Sequence, residues 1–561
     1  MGTTLNPDTL LWPDVQPFYA ELTEAPLDAA SMPAFLKRWS DLEKQVNEAQ
    51  YRSYRARTEN TADANASARY EQLVSEVQPR AKAAAQVLRD RVLSVPGYRP
   101  GPEEEVLFRR FQAQRDLFRE ANLPIETELA LLGAKYDEIV GSMSVTLDGE
   151  ALTMAEADSR LEDPDRARRE AAWRAMMACF QAARPALNDL FLKMRPLRRQ
   201  LAANAGLPDY REYVWREYAR FDYRPEDCTA FHAAIEAEIV PLAARLLERR
   251  RAWMGLDSLR PWDTEVDPLG RAALKPFDTA EQLEAGVSRM LHRLDPALGA
   301  DFDLLRQGFL DLGSRPNKAP GGYCEFFPVS GRPYIFMNAV GTHDDVNTLL
   351  HEGGHSLHAL ASSRAHDLVW NHWSPMEFAE VGSMAMELLA APYLEQGRGG
   401  FYGHEDAGRA RAQHLERAVL FLPYMAVVDA FQHWLYTTPD EVTPASLDAA
   451  WANLWERFMP VTDWSGLEAE RESGWQRKLH IFQMPFYYIE YGLSQVGAFQ
   501  VWRNSLSDAP AALAAYRDAL ALGYTRPLPE LYATAGARLA FDRETLAGLR
   551  PLLAEHLGLN G

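Results

Sequence analysis

The sequence predicts a mainly helical, all-α protein with one small β-sheet. Three observations carry that prediction. Apolar residues recur at i, i+3, i+4 spacing through long stretches with polar faces between them. Apolar runs flanking a Ser-Gly turn, the mark of a β-hairpin, stand out at one place only, around Tyr323 to Asn338. Proline and glycine clusters fall between the periodic stretches, where helices would end.

In chain order, the spacing predicts helices from about Met32 to Ala56, Ala62 to Leu93 and Ala155 to Asn204, with Pro196 kinking or interrupting the last. Loops follow from the clusters Val95 to Pro102 and Asn204 to Pro208, the proline-rich stretch Gly255 to Phe277, and Ser314 to Pro320. Gly321-Gly322-Tyr323-Cys324-Glu325-Phe326-Phe327 and Pro333-Tyr334-Ile335-Phe336-Met337-Asn338 then flank the Ser330-Gly331 turn as two hairpin strands. An edge strand of this kind can pair with an extended peptide backbone, which would bring Gly321, Gly322 and Tyr323 near a bound peptide. Thr342 to Asp345 supplies N-cap residues for a helix of about Asp344 to Ser362. Gly353 and Gly354 lie inside it at a cost of about 1 kcal/mol each relative to alanine. A backbone or a ligand is therefore expected to pack closely there. Pro375 to Glu387 forms a further, mostly apolar helix, and another starts near Pro485.

At 561 residues the chain predicts two to four lobes; we divide it into an N-terminal helical lobe, 1–200, and a second lobe, 201–561. Hydrophobic content of 47% and charged content of 25% are those of a soluble globular protein. No run of 18 apolar residues occurs, so no membrane span is expected. The start of the chain lacks the basic and apolar regions of a secretory signal. Three cysteines, Cys179, Cys228 and Cys324, suit a reducing cytoplasm better than a disulfide scaffold. A net charge of −20 argues against a nucleic-acid partner and weakly favours cationic peptides. The short basic run Arg195 to Gln200 reads as a solvated face. Nothing in the sequence reports the oligomeric state.

The stretch that carries chemistry is His351-Glu352-Gly353-Gly354-His355. Residues i and i+4 share one helix face, so both histidines can close on one metal ion with Glu352 beside it. Zinc in such a site takes one further protein ligand and keeps a position for water. The helix 375–387 buries three acids, Glu377, Glu380 and Glu387, and spacing alone leaves Glu377 and Glu380 both open as that ligand. His358 fits packing or an outer position, and His433, in an apolar helix, reads as a satisfied core histidine.

The run from Gly321 to Glu387 resembles the peptidase family of thimet oligopeptidase and oligoendopeptidase F, a group of gluzincins. The resemblance extends over most of the chain from about residue 200 onward and is thinner before that. That family places a glutamate 25 residues beyond the second histidine, and here that residue is Glu380, within Phe378-Ala379-Glu380-Val381-Gly382-Ser383. The resemblance therefore implies one Zn²⁺ per chain on His351, His355 and Glu380, with Glu352 as general base. It makes Glu387 an orienting acid for a ligand histidine; Glu377 reads as a solvent-facing acid at a helix start, where the first turn favours acids. It also implies that His480, Tyr487 and Tyr491 donate to the developing oxyanion; helical spacing of about 100° per residue turns Tyr488 elsewhere and makes it the lesser candidate. Pro485-Phe486-Tyr487 resembles the oligoendopeptidase F branch. Gly353 departs from the family, which often has a bulky apolar residue there. The implied fold is a clamshell with a deep substrate channel. The implied activity is a cytoplasmic zinc oligoendopeptidase cutting internal bonds of short peptides. A metallocarboxypeptidase of related fold and a catalytically silent peptide-binding protein are the alternatives, and Mn²⁺ or Co²⁺ can substitute for zinc in such a site.

Overall fold

A computed structural model describes residues 5–559, so Met1 to Thr4, on which the secretory-signal reading partly rests, lie outside the described residues. Among those residues the chain is helical throughout, with two small sheets. The first layer comprises Trp12–Glu24, Met32–Glu59, Ala64–Gln72, Gln78–Leu93 and Glu105–Leu117. The third and fourth are one run joined by a π-turn at Leu73–Val77, which accounts for the single helix predicted over 62–93. Trp39, Phe111, Leu36 and Leu88 centre a separate apolar core there. Trp370, from the turn Val369–Asn371, packs edge-on against it, its ring centroid 4.7 Å from that of Trp39.

The helix predicted over 155–204 is broken. Met154–Ser159 is capped by Thr153, and Arg166–Asn204 starts afresh on the Asp165 carboxylate. Pro196 does not interrupt it: the helix runs through Pro185 and Pro196. Each proline removes one backbone donor, and burial of Leu187, Phe191, Met194 and Leu201 in the large core holds the helix in place. Position 200, our lobe boundary, lies within this helix. The basic run on it is a solvated face only in part: Arg199 and Gln200 are exposed. Arg195 and Arg198 are buried, because carbonyl oxygens meet their guanidinium groups: Leu435 O for Arg195 at 3.2 Å and Ile481 O for Arg198 at 2.9 Å.

The predicted hairpin is present, and the sheet around it is larger. Strand β3 (Leu310–Gly313) lies parallel to β5 (Arg332–Ala339), and β4 (Tyr323–Phe327) pairs antiparallel with β5, giving the order β3-β5-β4. The edge position of β4 is thereby established. A second, unpredicted hairpin joins β1 (Ser144–Leu147) to β2 (Glu150–Thr153). Its turn is Asp148-Gly149, both at positive φ, the Asp-Gly signal that two-residue hairpins favour.

The helix His404–Thr437 contributes a long buried face to the large core. It is long and apolar enough to cross a bilayer by length and composition, and 72% of its most apolar window is buried inside the fold. A cavity of about 990 Å³ opens beside it. Met143, Asp158, Glu162, Asn338, Thr348 and Arg417 are among its lining residues, and it reaches Gly321 and Gly322.

Candidate active site

The HExxH helix spans His343–Ala365, a little longer than the sequence predicts. The Asp345 carboxylate accepts from the backbone N–H of Val340, Gly341 and Thr342 at 2.8–2.9 Å, so three donors ahead of the helix are satisfied by one side chain. The Glu380 helix, Met376–Ala390, crosses it closely. A Cβ on Gly354 would stand 2.7 Å from Ser383 Cα and 2.8 Å from Gly382 O. The expected close packing is thus another backbone, and Gly354 is the residue that admits it. Gly353 meets only the Phe302 ring, at 3.8 Å.

That crossing brings His351, His355 and Glu380 together. Their ligand atoms all lie within 4.8 Å of one another. His351 Nε2 and His355 Nε2 stand 3.2 and 3.4 Å from the same oxygen, Glu380 Oε2. Ser383 Oγ donates to that oxygen at 3.0 Å, and the Tyr487 hydroxyl donates to Glu380 Oε1 at 2.6 Å. His351 Nδ1 is 2.7 Å from Glu387 Oε1, so a proton held there leaves Nε2 free to ligate. The other Glu387 oxygen faces His414 Nε2 at 3.3 Å. Burial alone would raise the Glu380 carboxyl, yet the two histidines against it hold it well below the usual carboxylate range. Two imidazoles and one carboxylate are a donor set zinc accepts in catalytic sites. Among the described residues the buried Glu352 Oε2 and His355 Nδ1 have no hydrogen-bond partner, so the pocket has unspent polar capacity beside that set. The residues fit the metal.

Glu352 is buried, and burial raises its carboxyl above the ordinary value. Gly322 leaves room for it: a Cβ there would sit 3.4 Å from Glu352 Oε1. Gly321 supplies a φ of 88°, in the region that favours glycine. The Tyr323 ring turns toward the N-terminal layer instead, stacking on Phe336 and sharing a 2.6 Å hydrogen bond with Thr58.

His480 and the tyrosines come from the opposite side. Tyr488–Ser507 is a helix and Tyr487 is its N-cap residue, one position before the first turn. Tyr491 OH lies 3.1 Å from His480 Nε2. Tyr488 packs edge-on against the same imidazole. Burial, helped by the Lys478 charge, lowers His480 to about 3, so its imidazole is neutral at ordinary pH. Burial likewise pushes the Tyr487 and Tyr491 phenols up, which keeps both as donors.

Several residues that matter here gave no sequence signal. Arg198 holds the carbonyls of Ile481 and Phe482, just after His480. Phe486 has φ 64°, unusual for a bulky residue. Gln432 accepts from its N–H at 2.7 Å and Arg220 donates to its carbonyl at 2.6 Å. Glu377 corrects the solvent-facing expectation. It is buried, accepts from the Tyr223 hydroxyl at 2.5 Å, and faces Arg220 Nε at 3.3 Å. A cation from the loop after the helix Tyr210–Glu217, far away in sequence, compensates it, which the local sequence around Glu377 does not reveal. His358 is fully buried against Phe378, in keeping with packing. His433 is buried as expected, and its Nε2 stands 3.3 Å from Asp429 Oδ2 without an aligned hydrogen bond.

Residues 159–551 match the sequence model of peptidase family M3. The chain belongs to that family. It is 25% identical over 300 residues to oligopeptidase PepF of Bacillus subtilis (strain 168), a match covering 51% of this chain and 42% of that protein. It is 26% identical over 250 residues to an oligoendopeptidase F homolog of Mycoplasma pneumoniae, covering 42% and 38%. The matched stretches thus span less than half the length of either relative. Among solved structures, PZ peptidase A with an inhibitor superposes with a TM-score of 0.91 at 27% identity, covering 99% of this chain and 98% of that one. A structure described as an oligoendopeptidase F gives 0.92 at 27% identity, covering 99% and 97%. The M3 assignment and these neighbours agree with the branch that Pro485-Phe486-Tyr487 resembles.

Proposed function

We propose that this M3-family chain is a zinc-dependent oligoendopeptidase that hydrolyses internal bonds of short peptides. The observation that carries the reading is the convergence of His351, His355 and Glu380 on one point, with the unpartnered Glu352 carboxylate beside it. Zinc held by those three residues supplies a Lewis acid that polarises a carbonyl and makes water more acidic. Glu352 takes the proton of the attacking water and passes it to the leaving amine, a task that a carboxyl raised by burial suits. The neutral His480 and Tyr491 donate to the carbonyl oxygen as it gains charge, each such donor contributing on the order of 2.7–4 kcal/mol. Tyr487 orients Glu380. The edge strand β4, which follows the cavity-lining Gly321 and Gly322, receives the peptide backbone. Three free cysteines accord with a cytoplasmic setting.

The test is mass spectrometry of a mixed-length peptide pool digested by zinc-loaded native protein and by Glu352→Gln. Internal cuts confined to short peptides are expected, with the variant slower by about 10²–10⁴-fold while still binding zinc. Stepwise loss of C-terminal residues would make the protein a carboxypeptidase. No cleavage by the native protein would remove the enzyme reading.

A further inference from the structure

Away from the HExxH site, two helices of the large core face each other with a second set of metal-ligating side chains. Pro225–Glu238 carries Cys228 and His232, and His404–Thr437 carries Asp429 and His433. Each pair is spaced i, i+4, so each presents both members on one helix face. We propose that Cys228, Asp429 and His433 form a structural metal site for a zinc-class divalent cation, with His232 holding the aspartate in place.

Three observations support the site. First, the ligand atoms of Cys228, Asp429 and His433 lie within 4.8 Å of one another, and all three residues are buried. Second, the spacing repeats that of the HExxH site. His433 Nε2 is 3.3 Å from Asp429 Oδ2, against 3.2 and 3.4 Å for the two histidines on Glu380 Oε2. Third, among the described residues the cluster contains buried polar atoms with no aligned hydrogen-bond partner. Asp429 is fully buried, yet its Oδ1 has no partner, and His433 Nε2 has none that is aligned. Leaving such groups unpaired in a core is costly, and one cation would engage both. His232 Nε2 lies 2.8 Å from Asp429 Oδ2 and fixes the carboxylate, as residues behind metal ligands do. Cys228 Sγ makes only a long contact to Arg224 O at 3.9 Å. Arg211 Nη1 lies 3.4 Å from His433 Nδ1, so ligation through Nε2, which puts the proton on Nδ1, requires this partly exposed side chain to move.

The donor chemistry sets the class of ion. Thiolate, imidazole and carboxylate together favour zinc over hard cations such as magnesium or calcium. The position gives the ion a mechanical role. The His433 ring packs on Phe486, and its neighbour Gln432 holds the Phe486 N–H, one residue before Tyr487. An ion here would lock the two helices that support this segment.

The experiment counts metal in a protein whose first site is disabled. His351→Ala/His355→Ala protein, purified with zinc and desalted, is expected to retain one equivalent by mass spectrometry of the digested sample. Replacing that zinc with cobalt is expected to give thiolate-to-cobalt charge-transfer absorption, which no ligand of the HExxH site can produce. The absorption should persist in Cys324→Ser and vanish in Cys228→Ser. A double-histidine variant without metal, or cobalt protein without thiolate absorption, would overturn the site. Neither measurement depends on peptidase activity, nor on Cys228→Ser folding, because the count and the absorption are read in protein whose cluster is intact.

Discussion

The two oxygens of Glu380 have different partners. Oε2 faces both histidines and Ser383, while Oε1 accepts from Tyr487. Tyr491 instead touches His480 and feels the Glu352 charge. The two tyrosines should therefore separate in their variants. Tyr487→Phe loosens a ligand, so zinc affinity should fall about 10–100-fold, and excess zinc should restore most of kcat. Tyr491→Phe should leave zinc affinity alone and lower kcat and kcat/KM together by about 10²–10³-fold, as loss of an oxyanion donor does. Zinc-buffer titrations beside steady-state kinetics decide it; equal effects on metal affinity would refute the division of roles. At this scale the sequence made His351, Glu352 and His355 legible because their relation is local helical spacing. Choosing Glu380 over Glu377 needed the family resemblance. His414, Arg198 and Arg220 could not be found, because each meets its partner only through the tertiary fold.

The site depends on how closely the HExxH and Glu380 helices approach, and two adjacent glycines test that. Gly354→Ala drives a methyl to 2.7 Å from Ser383 Cα, where backbone has nowhere to yield. The helices must part, and overpacking of this kind costs about 1–3 kcal/mol. Zinc affinity should fall with stability, since His355 and Glu380 lie on opposite sides of the gap. Gly353→Ala adds its methyl beside Phe302 at ordinary contact distance. It should be neutral or stabilising by up to about 1 kcal/mol through helix propensity. Denaturant melts of the two variants, with zinc titrations, give the answer; equal losses would show that the Gly354 contact is not the constraint. The glycine pair signalled the crossing but not its partner. The same limit governs the strands: Ser330-Gly331 marked β4–β5, whereas β3 joins the sheet by a parallel pairing that leaves no turn between neighbours. Arg166–Asn204 shows the converse, a helix kept whole through two prolines by burial that local rules do not see.

For the whole molecule, helical class and the two-strand hairpin were legible from periodicity, while the enclosing arrangement came only with the family. The contacts that join the first layer to the sheet are long-range: buried Glu48 accepts from the N–H groups of Val329 and Ser330, at 2.7 and 2.9 Å. The chain's net charge of −20 makes a prediction at this scale. The cavity wall is nearly balanced, with Asp158, Glu162, Glu265, Asp344, Asp345 and Glu416 against Arg250, Arg315, Lys318, Arg417 and Arg477. Arg417 itself pairs with Asp344 and Glu265 at 2.6 and 3.0 Å. Preference for cationic peptides should then arise from the field of the whole surface rather than from one pocket. Such a field accelerates encounter, so kcat/KM for a peptide with basic flanks should exceed that for its acidic counterpart by about tenfold or more at low salt, with kcat similar. Raising ionic strength from about 0.01 M to about 1 M shortens the screening length from roughly 30 Å to roughly 3 Å, and the ratio should collapse toward one. A preference that survives high salt would instead assign recognition to short-range pairing, with the acids around Arg417 the first to replace.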